Sequence, residues 1–531
     1  MRRAGARRGA PLLLGIPAAA TVAAALLPLA YLALRAAGAD STAWEVLEPA
    51  VSLPLVADTA VLVAAVVLAS AAIGVPLAWL VVRTDLPGRR FWAVASALPL
   101  VIPSYVAALA LLGALGPRGL LQGLLERTFG VERIPEIYGL EGAVLALTLS
   151  TYPYVYLLVA AALRHADPAL EEAARSLGHS GFAVFRRVTL PGIRPSLAAG
   201  GLLVALYTLS DFGAVSLMQY PALTRAVYLQ YQALFDRDPA AVLGLLLVAL
   251  TAIVLLLESR VRRRARHGTS PGSPRRPGRI PLGRWRWPAV AFCTCVVGSF
   301  LLLPLAVLVN WASRATPLRN PLEVAWQATL NSLLASSLAA AVAVVAVLPV
   351  AFLAQRHSAP WTRALERLAF TANALPGIVI ALALVFFGAR YGGFVYQTLA
   401  LLVFAYVVRF LPQALAAVGA TLRSINPRME EAGRSLGRRP ATVLVRVTAP
   451  LLRPGLLAGA ALVFLSAMKE LPATLLLRPI GFDTLATEIW QETSLGAYSD
   501  AAPSALVLIL VSAPFVYLLS GREAVELGGP G

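Results

Sequence analysis

Charged side chains inside long apolar runs are the first residues of this chain that could do chemistry. Asp211 and Glu470 interrupt such runs, and Lys469, the only lysine, precedes Glu470. An ionised group costs roughly 2.5–3.5 kcal/mol at the centre of a membrane helix, so its presence there needs a reason. The acids could attract a cation along a pathway, form internal ion pairs or lie near the outer interface. Arg409 poses the same question, although its aliphatic stem could snorkel.

Other side chains with catalytic or metal-binding potential are scattered. Tyr152, Tyr154 and Tyr156 could offer phenolic oxygens to a passing metal on a pathway, but an interfacial aromatic belt is the more frequent use. The only cysteines, Cys293 and Cys295, do not face each other on a helix. The four histidines lie in segments expected to be cytoplasmic: His165, His179, His267 and His357. We expect no metal site, no cofactor and no enzymatic activity.

The elements that must position these residues are membrane helices. The 531 residues are 58% hydrophobic and 14% charged, and apolar stretches of about 20 residues, enough to span a bilayer, recur along the chain. Barrel strands are shorter and alternate in polarity. The sequence predicts an all-α membrane protein, a polytopic bundle of about twelve transmembrane helices in two homologous six-helix halves. Candidate spans are 11–36, 54–82, 91–115, 139–163, 194–218, 240–257, 287–312, 328–354, 366–389, 397–420, 454–477 and 503–520.

Basic residues set the predicted orientation. The net charge of +18 could indicate nucleic acid, but most Lys and Arg residues fall in alternate loops, the pattern of cytoplasmic loops. We therefore expect no nucleic-acid partner and place both termini in the cytoplasm. The N-terminal apolar run is longer than the ~7–15 residues of a secretory signal, so it predicts an uncleaved first helix.

An internal repeat divides the chain. DPALEEAARSLG from Asp167 aligns with NPRMEEAGRSLG from Asn426, and the same offset continues into the next span. Between the halves lies a segment rich in Arg, Pro, Gly and Ser, which predicts a flexible basic linker able to touch anionic membrane lipid. The predicted organisation is a first half at 1–257 with a loop at 164–193, a cytoplasmic linker at 258–286, and a second half at 287–531 with a loop at 421–453.

Each repeated loop predicts a short capped helix outside the membrane. Asp167 and Asn426 are good N-caps, and proline follows each at the first helical position. Gly178 and Gly437 stand where the helix would end with a positive φ. Because a helix of about ten residues is marginal alone in water, its apolar stripe must be covered. Its own bundle could do so, but repetition in both halves favours a partner subunit.

These loops resemble the docking motif of permeases in binding-protein-dependent ABC importers: Glu-Ala-Ala, three residues, Gly, nine residues, then an aliphatic, any residue and Leu-Pro. The first copy has Val188 in place of Ile, and the second departs at Gly433 and Ala449. In that family the loop inserts into a cleft of the ATPase subunit. The docking residues that the resemblance implies are Glu171, Glu172, Ala173, Ala174, Gly178, Glu430, Glu431, Ala432, Gly433 and Gly437.

The resemblance also implies the partners: two copies of an ABC ATPase and an extracytoplasmic substrate-binding protein, at a bacterial inner membrane. The ATPase must be separate, because a phosphate-binding loop needs a lysine and Lys469 lies deep in a predicted span. Over nearly the whole chain the sequence is similar to ferric-iron importer permeases. This similarity rests on IPSYVAALALLGALGPRG from Ile102, LTLSTYPYVYLLVAAALR from Leu147, LSDFG from Leu209 and MKELPATLLLRPIGFDTLATEIW from Met468.

Ferric iron is therefore the expected cargo, and thiamine or another small solute is the alternative within the same architecture. A secondary transporter built from two six-span halves is a distant alternative. It would need coupling groups near the membrane midplane, which Asp211 and Glu470 could supply. It gives no reason for duplicated amphipathic loops.

Overall fold

The computed structural model describes residues 12–117, 119–130, 135–233, 237–268, 278–315, 321–357 and 359–526. In these ranges every regular element is helical, and the β-structure is limited to one isolated bridge between Thr84 and Ile280. Among the described residues, 11 helices are long and apolar enough to cross a membrane, or up to 12 if one bent pair counts as a span. The predicted class of polytopic helical membrane protein is confirmed.

The α-helices of five or more residues are numbered here in chain order. Those before the linker are α1 Leu12–Ala37, α2 Pro49–Arg83, α3 Arg89–Ala95, α4 Ser104–Leu115, α5 Leu120–Phe129, α6 Leu140–His165, α7 Pro168–Ser176, α8 Leu190–Ser210, α9 Gly213–Leu217, α10 Leu223–Ala233 and α11 Asp238–Gly268. Those after it are α12 Arg286–Val297, α13 Leu303–Ala312, α14 Pro321–Arg356, α15 Pro360–Thr371, α16 Gly377–Tyr391, α17 Leu399–Ser424, α18 Pro427–Ser435, α19 Ala449–Met468, α20 Pro472–Leu477, α21 Leu485–Ser494 and α22 Tyr498–Glu526.

The chain forms two compact units whose composition differs from the sequence halves. Among the described residues, the larger unit contains those of Asp40–Ala325 and 488–526, and the smaller unit contains those of 12–39 and Trp326–Thr487. The first helix of the chain thus packs with the second repeat. The helices α12, α13 and α22 pack with the first repeat. The linker divides the two sequence repeats. It does not divide the two packing units, because helices from each end of the chain pack with the other repeat.

In the larger unit, α6 is the central helix and packs on α2, α4 and α8. Small residues allow this close approach. A Cβ on Gly74 would lie 2.9 Å from the Tyr156 nitrogen, and one on Gly200 would lie 3.0 Å from the Val155 Cα. The C-terminal α22 packs on α13, where the Tyr498 and Trp311 rings stack with centroids 5.5 Å apart.

In the smaller unit, α17 packs along α19, and α1 packs on α15, α16 and α17. Tyr31 of α1 meets the ring of Phe387 edge-on, with centroids 5.5 Å apart. The Arg35 guanidinium carbon lies 4.1 Å above the centre of the Phe386 ring. These aromatic contacts fix α1 to the second repeat.

The linker is more ordered at both ends than the composition suggested. Helix α11 continues from the membrane span as far as Gly268, so the prediction of a flexible segment from residue 258 is wrong for its first part. Residues 269–277 lie outside the described ranges. Beyond them, the Ile280 N–H donates to the Arg83 carbonyl at 2.8 Å, and the Asp85 N–H donates to the Ile280 carbonyl at 3.2 Å. The end of the linker is therefore attached to the end of α2.

Four predicted spans are interrupted. Residues 91–115 contain α3, a 3-10 turn and α4, and the helices within 366–389 meet at an angle of 99°. Pro103 and Pro376 precede α4 and α16, and proline restrains the residue before it from helical geometry. The spans at 194–218 and 454–477 break after Ser210 and Met468. At both breaks the next residues include an acid.

Candidate functional site

The two repeated loops form capped helices outside the long spans, as predicted. The Asp167 side chain accepts a hydrogen bond from the Ala169 N–H at 3.0 Å, and Asn426 accepts one from the Arg428 N–H at 3.1 Å. Helices α7 and α18 both have nine residues. The loop around each cap residue is thus shaped by local hydrogen bonding, which is why the sequence sufficed to predict it.

The glycines that end these helices adopt the expected conformation. Gly178 has φ 82° and Gly437 has φ 76°. A Cβ at either position would meet no atom within 4 Å. Backbone conformation, and not space, is therefore what favours glycine at both positions.

The helices α7 and α18 each leave an apolar face uncovered in this chain. Leu170 and Leu177 are 65% and 79% exposed, and their repeat equivalents Met429 and Leu436 are 48% and 81% exposed. Large aliphatic side chains at equivalent positions of two capped helices form an apolar surface that a partner could bury. Packing on the helix's own bundle, the alternative left open by the sequence, does not cover these four residues.

The glutamate directly before each Glu-Ala-Ala motif faces the interior of the protein. Glu171 and Glu430 are 5% and 9% exposed, and they face their own bundle. Glu171 pairs with Arg83 at the end of α2, and Glu430 accepts a hydrogen bond from Arg356 Nη2 at 2.9 Å at the end of α14. These two carboxylates are engaged within the chain, and their predicted contact with an ATPase stays a prediction.

The other predicted docking residues divide between surface and interior. The side chains of Glu172, Ala173, Glu431 and Ala432 are exposed, whereas Ala174 is buried. Its repeat equivalent is Gly433, where a Cβ would lie 3.0 Å from Val443 Cγ2. The departure of the second copy from the motif therefore falls on the side of the helix that packs inward.

A π-helical turn follows each of the helices α7 and α18, which sequence reasoning missed. The turns span Phe185–Thr189 and Leu444–Thr448, at equivalent positions of the repeat, and lead directly into α8 and α19. Such turns insert an extra residue into a helix and often lie at functional sites. No residue type marks a π-turn, so the sequence carried no signal for it.

The two membrane-embedded acids cap short helices at breaks in equivalent spans. Asp211 Oδ1 accepts a hydrogen bond from the Ala214 N–H at 2.9 Å, and its Oδ2 accepts one from Ser104. Glu470 Oε1 accepts one from the Ala473 N–H at 3.2 Å. A carboxylate at a helix N-terminus satisfies free N–H groups and interacts favourably with the helix dipole.

The ion-pair alternative is confirmed for Glu470, with Arg409 as the cation. Arg409 Nε lies 3.0 Å from Glu470 Oε2, and the two side chains are 18% and 5% exposed. A Cβ on Gly377, the first residue of α16, would overlap Arg409 and crowd Glu470. Sequence reasoning missed this glycine, although its place directly after Pro376 at a helix start was a usable signal. Lys469 lies at the end of α19 and is half-buried.

The three tyrosines have separate environments. Tyr152 and Tyr156 are fully buried in the core of the larger unit, and Tyr156 Oη donates to the Ala93 carbonyl at 3.1 Å. Both rings are enclosed by the helix bundle, and the pathway role and the aromatic belt stay predictions for these two residues. Tyr154 is half-buried beside Tyr207, with ring centroids 6.1 Å apart.

At the equivalent place in the smaller unit, two other polar side chains meet. Ser466 Oγ donates to Gln413 Oε1 at 2.9 Å, and both residues are half-buried. This pair joins α17 to α19, as the two tyrosines Tyr154 and Tyr207 join α6 to α8. Sequence reasoning missed it, since Gln and Ser give no distinctive spacing.

Among the described residues, no group of three or more His, Cys, Asp or Glu side chains could hold a metal ion. Cys293 is buried and Cys295 exposed, and both are free thiols. The acids in the spans are engaged as helix caps instead.

Comparison with known proteins gives a consistent result. The family described as "Binding-protein-dependent transport system inner membrane component" matches residues 70–267 and, a second time, 347–521. The Fe(3+)-transport system permease protein FbpB 2 of Haemophilus influenzae is 32% identical over 499 residues, covering 93% of this chain and 95% of that protein. The thiamine transport system permease protein ThiP of Escherichia coli is 27% identical over 440 residues, covering 81% of each chain.

A shorter relative aligns with only part of the chain. The molybdenum transport system permease protein ModB of Escherichia coli is 34% identical over 206 residues, which cover 38% of this chain and 89% of ModB. Most of one family member thus corresponds to less than half of this chain. Together with the two family matches, this supports the duplication that the repeated loops indicated.

Proposed function

This chain belongs to the family of binding-protein-dependent transport system inner membrane components, and on that premise we propose that it is the fused double permease of a ferric-iron importer. Ferric iron is proposed as the substrate because of the similarity to the Haemophilus influenzae ferric permease, which extends over 93% of this chain and 95% of that protein. Shared length on this scale includes both repeats. The thiamine permease aligns over 81% of each chain at lower identity and supplies the second candidate cargo.

The energy source is an ATPase on separate chains, with one copy bound at each of α7 and α18, which are the docking helices of this proposal. The support is geometric: two capped helices carry uncovered aliphatic side chains, including Leu177 and Leu436 at 79% and 81% exposure. Exposed apolar surface in a polar loop is unfavourable in water and favours burial by a partner. Two such surfaces in one chain give a complex of one permease and two ATPase subunits.

Both termini, the linker and both docking loops are cytoplasmic in this proposal, because basic residues concentrate in these segments. Cargo arrives on an extracytoplasmic binding protein, so the permease itself needs no tight metal site. The acids Asp211 and Glu470 act as caps at span breaks. Of the tyrosines named from the sequence, Tyr154 keeps accessible surface and is the one proposed to line the pathway.

The deciding experiment is uptake by sealed vesicles that contain this chain, its ATPase and its binding protein. We expect ATP-dependent accumulation of ferric iron and none of thiamine. Vesicles with an ATPase inactivated in its own phosphate-binding loop provide the control for leakage. Accumulation of thiamine without iron would move the assignment to the second candidate, and uptake that does not need ATP would refute the importer.

A further inference from the structure

In the larger unit, one buried carboxylate joins three elements. Glu171 lies in the first turn of the docking helix α7, and its Oε2 pairs with Arg83, the last residue of α2. Its Oε1 accepts a hydrogen bond at 2.9 Å from Thr189 Oγ1, the last residue of the π-turn that leads into α8. Arg83, Glu171 and Thr189 are called here the first clamp. All three side chains are buried.

The smaller unit contains the same arrangement. Glu430 Oε1 accepts hydrogen bonds from Arg356 Nη2 at 2.9 Å and Nε at 3.1 Å, and from Thr448 Oγ1 at 3.3 Å. Arg356 is the last residue of α14, and Thr448 ends the second π-turn. Arg356 also donates to the Ile425 carbonyl at 3.2 Å, immediately before the docking helix. Arg356, Glu430 and Thr448 form the second clamp.

The geometry of the clamps allows a displacement of the docking helix to be passed to the membrane spans. Each connects the inward side of a docking helix to the end of one span and to the start of another, while the aliphatic face remains open to a partner. Charge-assisted hydrogen bonds are short and directional, so they hold the orientation of the helix as well as its position. Buried ion pairs seldom stabilise a protein more than apolar packing of the same volume would. A role in orientation accounts for their presence in both repeats.

We propose that the two clamps transmit the movement of the ATPase subunits from the docking helices to the membrane spans, with Glu171 and Glu430 as positioning residues. The inference rests on the proposed function, since it needs an ATPase at each docking helix. In this proposal the π-turn at each clamp is the element that changes shape, because such turns are rare within α-helices and are frequent at functional sites. Movement of α7 or α18 is then delivered at once to both attached spans.

The test uses the complete complex in vesicles and a matched pair of variants. Glu430→Gln removes the charge of the clamp, and Glu126→Gln makes the same chemical change on an exposed carboxylate of α5, outside both repeated loops. The measured quantity is iron imported per ATP hydrolysed, together with the amount of ATPase that copurifies. We expect Glu430→Gln to lower the ratio by about fivefold to tenfold, within the usual range of coupling between sites, while the ATPase still copurifies. Glu126→Gln should keep the wild-type ratio.

A wild-type ratio in Glu430→Gln, or an equal loss in both variants, would overturn the proposal. The exchanged pair Arg356→Glu with Glu430→Arg should recover part of the ratio, because it restores an ion pair at the same place. If Glu430→Gln does not accumulate in membranes, Thr448→Val removes one hydrogen bond of the clamp and should shift the ratio less, in the same direction. A Thr448→Val complex with unchanged coupling then counts against the clamp.

A readout independent of the cargo separates this inference from the proposed function. Amide hydrogen exchange in Leu444–Thr448 should change when ATP is added to the wild-type complex and to the Glu126→Gln complex. It should not change in Glu430→Gln. An identical response in all three complexes would refute the clamp even if iron is imported. Failure of the wild type to import iron would refute ferric iron as the substrate. The comparison of hydrogen exchange among the three complexes would still test the clamp.

Discussion

The two repeats hold an acid at the same span break by different chemistry. In the first, Asp211 accepts hydrogen bonds from the Ser104 hydroxyl and a backbone N–H. In the second, Glu470 accepts a backbone N–H and pairs with Arg409, in space left by Gly377. Ser104 and Gly377 each begin the helix that follows a proline. Both repeats use the acid as a helix cap, so capping is the shared structural role of this position. The buried cation Arg409 is present in the second repeat alone.

The two docking regions also have the same backbone conformation but different side-chain contacts. Arg356 donates three hydrogen bonds in the second clamp. In the first, Arg83 Nε and Nη1 have no hydrogen-bond partner among the described residues. The outward faces differ as well, since Leu170 is 65% exposed and Met429 is 48% exposed. We therefore expect α7 and α18 to bind their ATPase subunits with different affinities.

The largest expected effect tests the buried ion pair. Glu470→Gln leaves the Arg409 charge largely buried without its carboxylate, and breaking such a pair costs about 3–5 kcal/mol. We expect a marked fall in the thermal unfolding temperature of the purified chain in detergent. Gly377→Ala should lower it too, by displacing Arg409 while both charges remain. An unfolding temperature equal to that of the wild type in both variants would show that the pair contributes nothing to holding the break.

The next effect concerns the docking glycines. Gly178→Val and Gly437→Val place a β-branched residue at positive φ, which is strained by about 1–2 kcal/mol, so the loop should change shape. We expect nearly normal membrane insertion and a large loss of ATPase copurification and transport, to different extents in the two variants. Gly181→Val is the matched control, because its Cβ also meets no atom within 4 Å but its φ is not positive. Normal transport by both docking variants would refute the docking assignment.

The smallest effect is expected for Asp211→Asn. The amide oxygen can still accept the Ala214 N–H, and the amide nitrogen can donate to the Ser104 hydroxyl, so the cap is retained. The change in unfolding free energy should stay near 1 kcal/mol, the size of one ordinary hydrogen bond. ATPase copurification should be normal. A loss of stability as large as that of Glu470→Gln would contradict the contrast between the repeats, and a loss of uptake alone would place Asp211 on the pathway.

Features set by neighbouring residues could be predicted from the sequence. The caps at Asp167 and Asn426 and the positive φ of Gly178 and Gly437 depend on a few consecutive residues, and the structure confirms them. The membrane class followed from the length of the apolar runs. The inward turn of Glu171 could not be predicted, because its partner Arg83 is 88 positions away in the chain.

The sequence by itself determined that this chain is a duplicated bundle of membrane helices with two capped loops outside it. The length of an apolar run and a helix cap depend on neighbouring residues, and a repeat is found by aligning the sequence with itself. Only the tertiary structure decided which helices pack together: α1 with the second repeat, and α12, α13 and α22 with the first. Lipid is as apolar as a leucine side chain, so an apolar helix carries no hydrophobic preference for one neighbour over another. Close packing at residues such as Gly74 and Gly200, and ion pairs between distant positions, make that choice.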